Sequence, residues 1–177
     1  MLDFIELEDS SGIIELENGL GFVLLEASTM ADVTTSQLLF NGPRHAVYRF
    51  TNYTDGSTNE TAVLKVDATS AGPLGWAVQG QIAYPGLNLK VEKVQYDVHN
   101  MVLRMQWVAS AAEDILLMTG FQTLDFERIG GIQNPGTTAL PGATGSIQFT
   151  TDILEGTTSD LPSYSVVLYL TKGIPQT

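Results

Sequence analysis

The sequence predicts an all-β protein, an antiparallel β-sandwich of the jelly-roll type. Roughly eight to ten short segments show the alternation of apolar and polar side chains that is typical of half-buried strands. Gly, Pro, Asn and Asp separate these segments at short intervals, as turns require. Apart from a short window at residues 110–117, nothing has the apolar period of a helix. Eight strands in two sheets are the usual content of a jelly roll, and a Greek-key sandwich with other connectivity is the alternative.

The first 43 residues form an acidic N-terminal arm with short strands at residues 2–7, 13–16 and 20–25. Residues 28–36 are polar, and we predict a loop there. The remaining residues, 44–177, form the β-sandwich domain. Its first two strands, residues 44–51 and 60–68, flank a cluster of Asn, Asp, Gly and Ser and predict a β-hairpin with a long loop.

Residues 69–88 are rich in Gly and Pro but too apolar for a disordered linker, so we predict an ordered crossover that contains Trp76. Two strong strands follow at residues 89–98 and 101–108. We predict a tight turn between them at His99–Asn100, because Asn tolerates a positive φ. Further strands are predicted at residues 115–118, 121–126, 146–151 and 164–171, with a loop at residues 130–142.

The charge distribution excludes one class of function and suggests a surface for another. The formal net charge of −12 argues against nucleic-acid binding, which needs clustered Lys and Arg. No Lys or Arg precedes Arg44, whereas eight Asp and Glu residues do. This segment is either a solvated acidic strand set or an arm that docks on a basic partner surface. The candidate partner contacts are Asp3, Glu6, Glu8, Glu15, Glu17 and, as an exposed aromatic residue in the crossover, Trp76.

Composition also indicates where the chain resides. Charged residues make up 16%, which is low beside a typical value of about 25%, and a neutral surface is common where subunits meet. There is no Cys, so neither disulfides nor thiol chemistry can contribute. The N-terminus lacks the pattern of a signal peptide, and no segment has the apolar length of a membrane helix. We expect a protein of the cytoplasm, or of a particle assembled there, that binds no membrane.

A search for catalytic groups predicts none. Asp125 and Glu127 share one face of a predicted strand, but paired carboxylates need a cleft and shifted pKa values to catalyse. His45 and His99 lack a nucleophile motif and are expected at the surface. No metal-ligand or phosphate-loop pattern is present, so we predict no metal and no cofactor. Tyr96 and Trp107 fall on apolar strand faces and are expected in the core.

Several ordered motifs carry a family resemblance. VEKVQYDVHNMVLRMQW is followed by EDILLMTGF, DFERIGGIQNPG, GATGSIQFTT and YSVVLYLTK, all in the second half of the chain. This order resembles small virion structural proteins of tailed bacteriophages. The matching positions are Val94, Tyr96, Leu103, Trp107, Asp114, Ile115, Leu117, Asp125, Phe126, Arg128, Gly130, Gly131, Gly145, Ile147, Phe149, Tyr164, Val166, Leu168 and Lys172.

The resemblance implies a non-enzymatic β-sandwich of the virion, located on the capsid surface. The favoured role is a head decoration (cement) protein that bridges major capsid subunits, with a homo-oligomer as the expected form. Two other functions stay open. A tail or fibre module would bind host glycans through exposed aromatic residues near Trp76, and a small hydrolase would require a cleft that holds Asp125 or Glu127 beside a His.

Overall fold

The computed structural model describes residues 13–15, 22–24, 33–54, 56, 58–68, 89–154 and 161–172, and for the first two ranges the backbone only. The chain divides into two compact units, Met1–Ala31 and Asp32–Thr177. The predicted boundary at residue 43 lies one strand beyond this division. In the first unit, β1 (Ile13–Glu15) pairs antiparallel with β2 (Phe22–Leu24), where strands were predicted. The strand predicted at residues 2–7 lies outside the described residues.

The second unit contains one antiparallel sheet that curls until it is nearly closed on itself. The all-β prediction is confirmed, and the jelly-roll connectivity stays a prediction. The described strands run in the order β3-β4-β10-β6-β9-β5, and β7 and β8 also pair with β6. Their bounds are β3 Val33–Asn41, β4 His45–Tyr53, β5 Val63–Val66, β6 Leu89–Trp107, β7 Glu113–Asp125, β8 Ile132–Gln133, β9 Ile147–Ile153 and β10 Ser163–Lys172.

The described residues of this unit also contain a 3₁₀ turn at Glu127–Ile129 and a short helix, α1, at Gly136–Ala139. The segment predicted as a loop at residues 130–142 therefore contains α1 and β8, and the 3₁₀ turn ends just before it. None of the helices in the described part of the chain has the length and apolar character needed to cross a membrane.

Strand β6 organises the sheet. It runs without a reversal from Leu89 to Trp107, so the turn predicted at His99–Asn100 is wrong. Asn100 does have a positive φ of 54°, but there the strand bends at a bulge instead of reversing. β7 is likewise one strand, not two, and Gly120 with φ 67° lies at the same break in register. Before the bend β6 pairs with β10, and after the bend it pairs with β9.

The predicted hairpin over residues 44–68 is also wrong. β4 pairs with β3 and β10, whereas β5 pairs with β9. The intervening loop therefore connects two different parts of the sheet. Sequence proximity favoured the hairpin, and long-range pairing overrode it.

Strand β3 corrects the loop predicted at residues 28–36, because the strand begins at Val33. Every residue of β3 is exposed, so the strand has no burial alternation by which a sequence pattern could reveal it. Its two Thr and its Val nevertheless have the branched side chains that suit a pleated strand.

The core lies between the two parts of the sheet that diverge at the β6 bend. Phe50 of β4 meets Phe149 of β9 edge-on, with ring centroids 5.3 Å apart. Phe149 also contacts Tyr164 of β10 at 5.9 Å. Such aromatic pairs add about 0.5–1.5 kcal/mol each to the stabilisation from burial. Tyr96 and Trp107 are buried in the same core, as predicted.

Candidate functional site

The candidate partner contacts from the sequence cannot be placed. Asp3, Glu6, Glu8, Glu17 and Trp76 lie outside the described residues, and Glu15 belongs to β1, of which only the backbone is described. Their proposed contact role stays a prediction.

The residues considered as catalytic candidates from the sequence lie at the surface. Asp125 ends β7, and its Oδ1 accepts a 2.9 Å hydrogen bond from the backbone N–H of Glu127. This bond closes a turn between the two carboxylates. His45 Nδ1 lies 3.6 Å from Glu92 Oε2, and His99 Nε2 lies 2.8 Å from Asp97 Oδ1; both imidazoles are mostly exposed. Within the described residues, no group of three or more His, Cys, Asp or Glu could hold a metal ion.

A buried polar group emerges where sequence reasoning placed none. We call it the Glu60 cluster, and it consists of Thr34, Asn52, Glu60, Lys65 and Tyr164. Glu60 Oε1 accepts hydrogen bonds from Lys65 Nζ at 2.9 Å and from Asn52 Nδ2 at 3.0 Å. The Tyr164 hydroxyl donates to the same carboxylate, at 3.1 Å from Oε1 and 3.0 Å from Oε2. Thr34 Oγ1 adds a 3.4 Å contact. Four side chains from β3, β4, β5 and β10 thus meet at one carboxylate.

The loop before β5 fixes Glu60 against β9. The backbone N–H of Glu60 donates to Thr151 Oγ1 at 2.8 Å, and its carbonyl accepts from Thr151 N at 2.9 Å. On either side of Glu60, Asn59 Oδ1 accepts from Ile153 N, and Ala62 N donates to Thr150 Oγ1. Ala62 has a φ of 51°, a conformation that costs a non-Gly residue about 1–2 kcal/mol. Local strain is retained because the surrounding contacts outweigh it.

Water is largely excluded from the cluster. The side chains of Lys65 and Glu60 are only 3% and 10% exposed. Lys65 Nζ lies 5.7 Å from the ring centroids of both Phe149 and Tyr164. Burial, followed by the charge of Glu60, raises the pKa of Tyr164 far above its ordinary value, so this phenol stays protonated and donates to the carboxylate.

Sequence reasoning missed this cluster because Tyr164 joins it only through long-range strand pairing, and Asn52, Glu60 and Lys65 have ordinary sequence neighbours. Lys65 lies in a strand with an alternating pattern. This pattern predicts on which face of the strand the side chain lies, but not that the side chain is buried. The only signal was a charged residue between Leu64 and Val66, both apolar. Chemically, the cluster brings an amine, a carboxamide, a carboxylate and a phenol together in a nearly dry site.

A second candidate surface is formed by two long strands, β3 and β7. Among the described strands each of them pairs on one side only. β3 exposes Val33, Leu38, Leu39 and Phe40. β7 exposes Leu117 and Phe121, the latter at 79%. The edges differ in charge, because β3 has no charged residue whereas β7 has Glu113 and Asp114 at one end and Asp125 at the other.

Comparison with known proteins gives no assignment. No family model, curated protein or solved structure matches this chain. Function must therefore be argued from the surface and the sequence.

Proposed function

We propose that this chain is a head decoration protein of a tailed bacteriophage that bridges neighbouring major capsid subunits and stabilises the head. The hypothesis of a phage virion protein comes from the sequence resemblance in the second half of the chain. The structural observation that supports it is the exposed, uncharged edge strand β3. Such a strand suits a protein whose place is in an assembly.

Strand β3 lacks the charged and Pro residues that commonly protect a sheet edge, although its register is irregular between Leu38 and Phe40. Its nine residues, VTTSQLLFN, include neither Pro nor a charged residue, and all nine are exposed. Among the described strands it pairs only with β4. Soluble proteins commonly place Lys, Pro or short strands at such edges, because an open strand pairs with another chain. β3 is therefore the best candidate for pairing in an assembly.

A second copy of this chain is the partner that the charge distribution favours at β3. The chain has a net charge of −12, so two copies repel each other over most of their surface. The neutral β3 edge lets two copies approach with little repulsion. Antiparallel pairing of β3 with its symmetry mate would make a two-fold interface of the common closed kind. An oligomer of this kind binds a capsid lattice through several copies, so modest affinity per copy becomes large in sum.

The decisive experiment is binding to purified, expanded phage heads that lack their decoration protein. We expect saturable binding in sedimentation assays and a higher temperature of DNA release from decorated heads. An unrelated acidic β-protein of similar net charge controls for nonspecific association. Binding to tails or to host cells, with none to heads, would rule the proposal out.

The acidic first 43 residues make a second, separate prediction about this binding. If this segment docks on basic capsid loops, complementary charge accelerates association, and salt screens it. Changing Asp3, Glu6 and Glu8 to the corresponding amides should slow association with heads and weaken its salt dependence. The matched control changes Glu113, Asp114 and Asp125 of β7 to amides, which removes the same charge elsewhere and should leave the association rate much closer to that of the unmodified chain.

A further inference from the structure

The Glu60 cluster brings together the three groups needed to form an amide bond between side chains. Lys65 supplies a primary amine, Asn52 a carboxamide and Glu60 a carboxylate. The two nitrogen atoms, Lys65 Nζ and Asn52 Nδ2, donate to the same oxygen of Glu60, at 2.9 and 3.0 Å. The amine and the carboxamide are therefore held side by side by one group that can exchange protons with both.

We propose that Lys65 and Asn52 become joined by an intramolecular isopeptide bond, with Glu60 as the proton carrier. In this reaction Lys65 Nζ attacks Asn52 Cγ, and an Nζ–Cγ bond forms. The Cγ–Nδ2 bond breaks, and Nδ2 leaves as ammonia. No oxidant, reductant or further reactant is required, because one amide replaces another.

Proton transfers through Glu60 account for the remaining balance. The carboxylate first takes a proton from the Lys65 ammonium, which leaves a neutral amine nucleophile and a neutral carboxylic acid. The carboxylic acid later returns a proton to the departing Nδ2, and the proton that remains on Nζ after attack leaves through the regenerated carboxylate. The net products are the amide and one ammonium ion, because Glu60 passes the second proton lost from Lys65 Nζ to the departing ammonia and is again a carboxylate.

The carboxamide oxygen of Asn52, Oδ1, is consistent with Asn52 as the group that Lys65 attacks. Asn52 Oδ1 is buried and has no hydrogen-bond partner in the described part of the chain. An unpaired buried acceptor is destabilising and uncommon in folded proteins, so this one calls for an explanation. With Nδ2 held on Glu60, the unpaired Oδ1 is the atom on which negative charge develops when Nζ attacks Cγ, and no hydrogen bond to another group has to be broken for this.

The position of the bond in the sheet gives it a mechanical consequence. Asn52 lies on β4 and Lys65 on β5, and these strands pair with different neighbours. The bond would connect two strands that no backbone pairing joins directly among the described residues. A covalent connection there resists separation of those strands, in the way that a disulfide constrains an unfolded chain.

Mass spectrometry of the purified, folded chain tests the proposal. The expected intact mass is lower than that of the sequence by one ammonia. Trypsin cleaves after Arg49, Lys65 and Lys90 in this region, and the isopeptide would block cleavage after Lys65. Further cleavage after Glu60 should then leave two fragments that stay joined. An intact mass equal to that of the sequence would overturn the proposal. So would the same mass loss with normal cleavage after Lys65, because that is the signature of a cyclic imide at an Asn.

Substitutions test separately the roles of Lys65 as nucleophile, Asn52 as the attacked carboxamide and Glu60 as proton carrier. Circular dichroism verifies that each variant is folded. Lys65→Arg should show the full sequence mass, whereas Lys93→Arg, a control at a half-buried Lys of β6 outside the cluster, should retain the ammonia loss. Asn52→Asp should lose water in place of ammonia, since the leaving group is then an oxygen. Glu60→Gln should keep its full mass; a linked Glu60→Gln chain would overturn the role assigned to Glu60. Ammonia loss in Lys65→Arg or Asn52→Asp would overturn the bond itself.

Discussion

Two buried tyrosines differ in what their hydroxyl groups do. The Tyr48 hydroxyl is buried without a hydrogen-bond partner among the described residues, whereas the Tyr164 hydroxyl donates to Glu60. Removing an unpaired buried polar atom relieves a cost of about 1–3 kcal/mol, and removing a donor from a buried carboxylate imposes one. We expect Tyr48→Phe to leave the free energy of unfolding unchanged or raise it, and Tyr164→Phe to lower it by about 1–3 kcal/mol. Urea unfolding followed by fluorescence measures both, and equal losses would contradict the assignment.

The buried hydroxyl of Tyr48 also leads us to expect a loss of protein stability at alkaline pH. Burial, and then the charge of Asp67, raises the pKa of Tyr48 from 10.0 to about 12. The folded state therefore holds this proton more tightly than the unfolded state does. The associated stability is fully present below pH 10 and is lost as the pH rises toward 12, by about 2–3 kcal/mol for this group. Tyr48→Phe should show a correspondingly smaller decline over this interval, in urea unfolding carried out across the pH series.

At the scale of elements, two adjacent glycines form a matched pair after the 3₁₀ turn. Gly130 and Gly131 both have left-handed φ values, 83° and 81°. A Cβ at Gly130 would meet nothing within 4 Å, whereas one at Gly131 would lie 3.2 Å from the carbonyl oxygen of Val91. Gly130→Ala should cost about 1–2 kcal/mol from backbone strain alone. Gly131→Ala should cost more, because it also disturbs the pairing of β8 with β6. Thermal unfolding of both variants measures the difference, and equal melting temperatures would show that the contact is unimportant.

Prediction from sequence succeeded where a strand is half buried. The strands at residues 146–151 and 164–171 are predicted from the alternation of their side chains, and in β9 and β10 buried positions alternate with half-buried ones. It failed at β3, where full exposure leaves no alternation. It also misread Asn100, because a positive φ is required equally by a turn and by a bulge. The Glu60 cluster could not be predicted from the sequence, because long-range strand pairing assembles that site and no local pattern encodes it.

At the scale of the whole molecule, the two edge strands offer a direct comparison. Leu39 on β3 and Leu117 on β7 are exposed to nearly the same extent, 54% and 55%. Of these two strands only β3 lacks carboxylates, so β3 repels a second acidic chain less than β7 does. A Lys on an edge strand discourages pairing with another chain. We therefore expect Leu39→Lys to dissociate the oligomer and to reduce its binding to heads, and Leu117→Lys to preserve both. Analytical ultracentrifugation over a range of protein concentrations measures the association. A wild-type chain that stays monomeric at the highest concentration, or a Leu117→Lys variant that dissociates while Leu39→Lys does not, would place the contact elsewhere than β3.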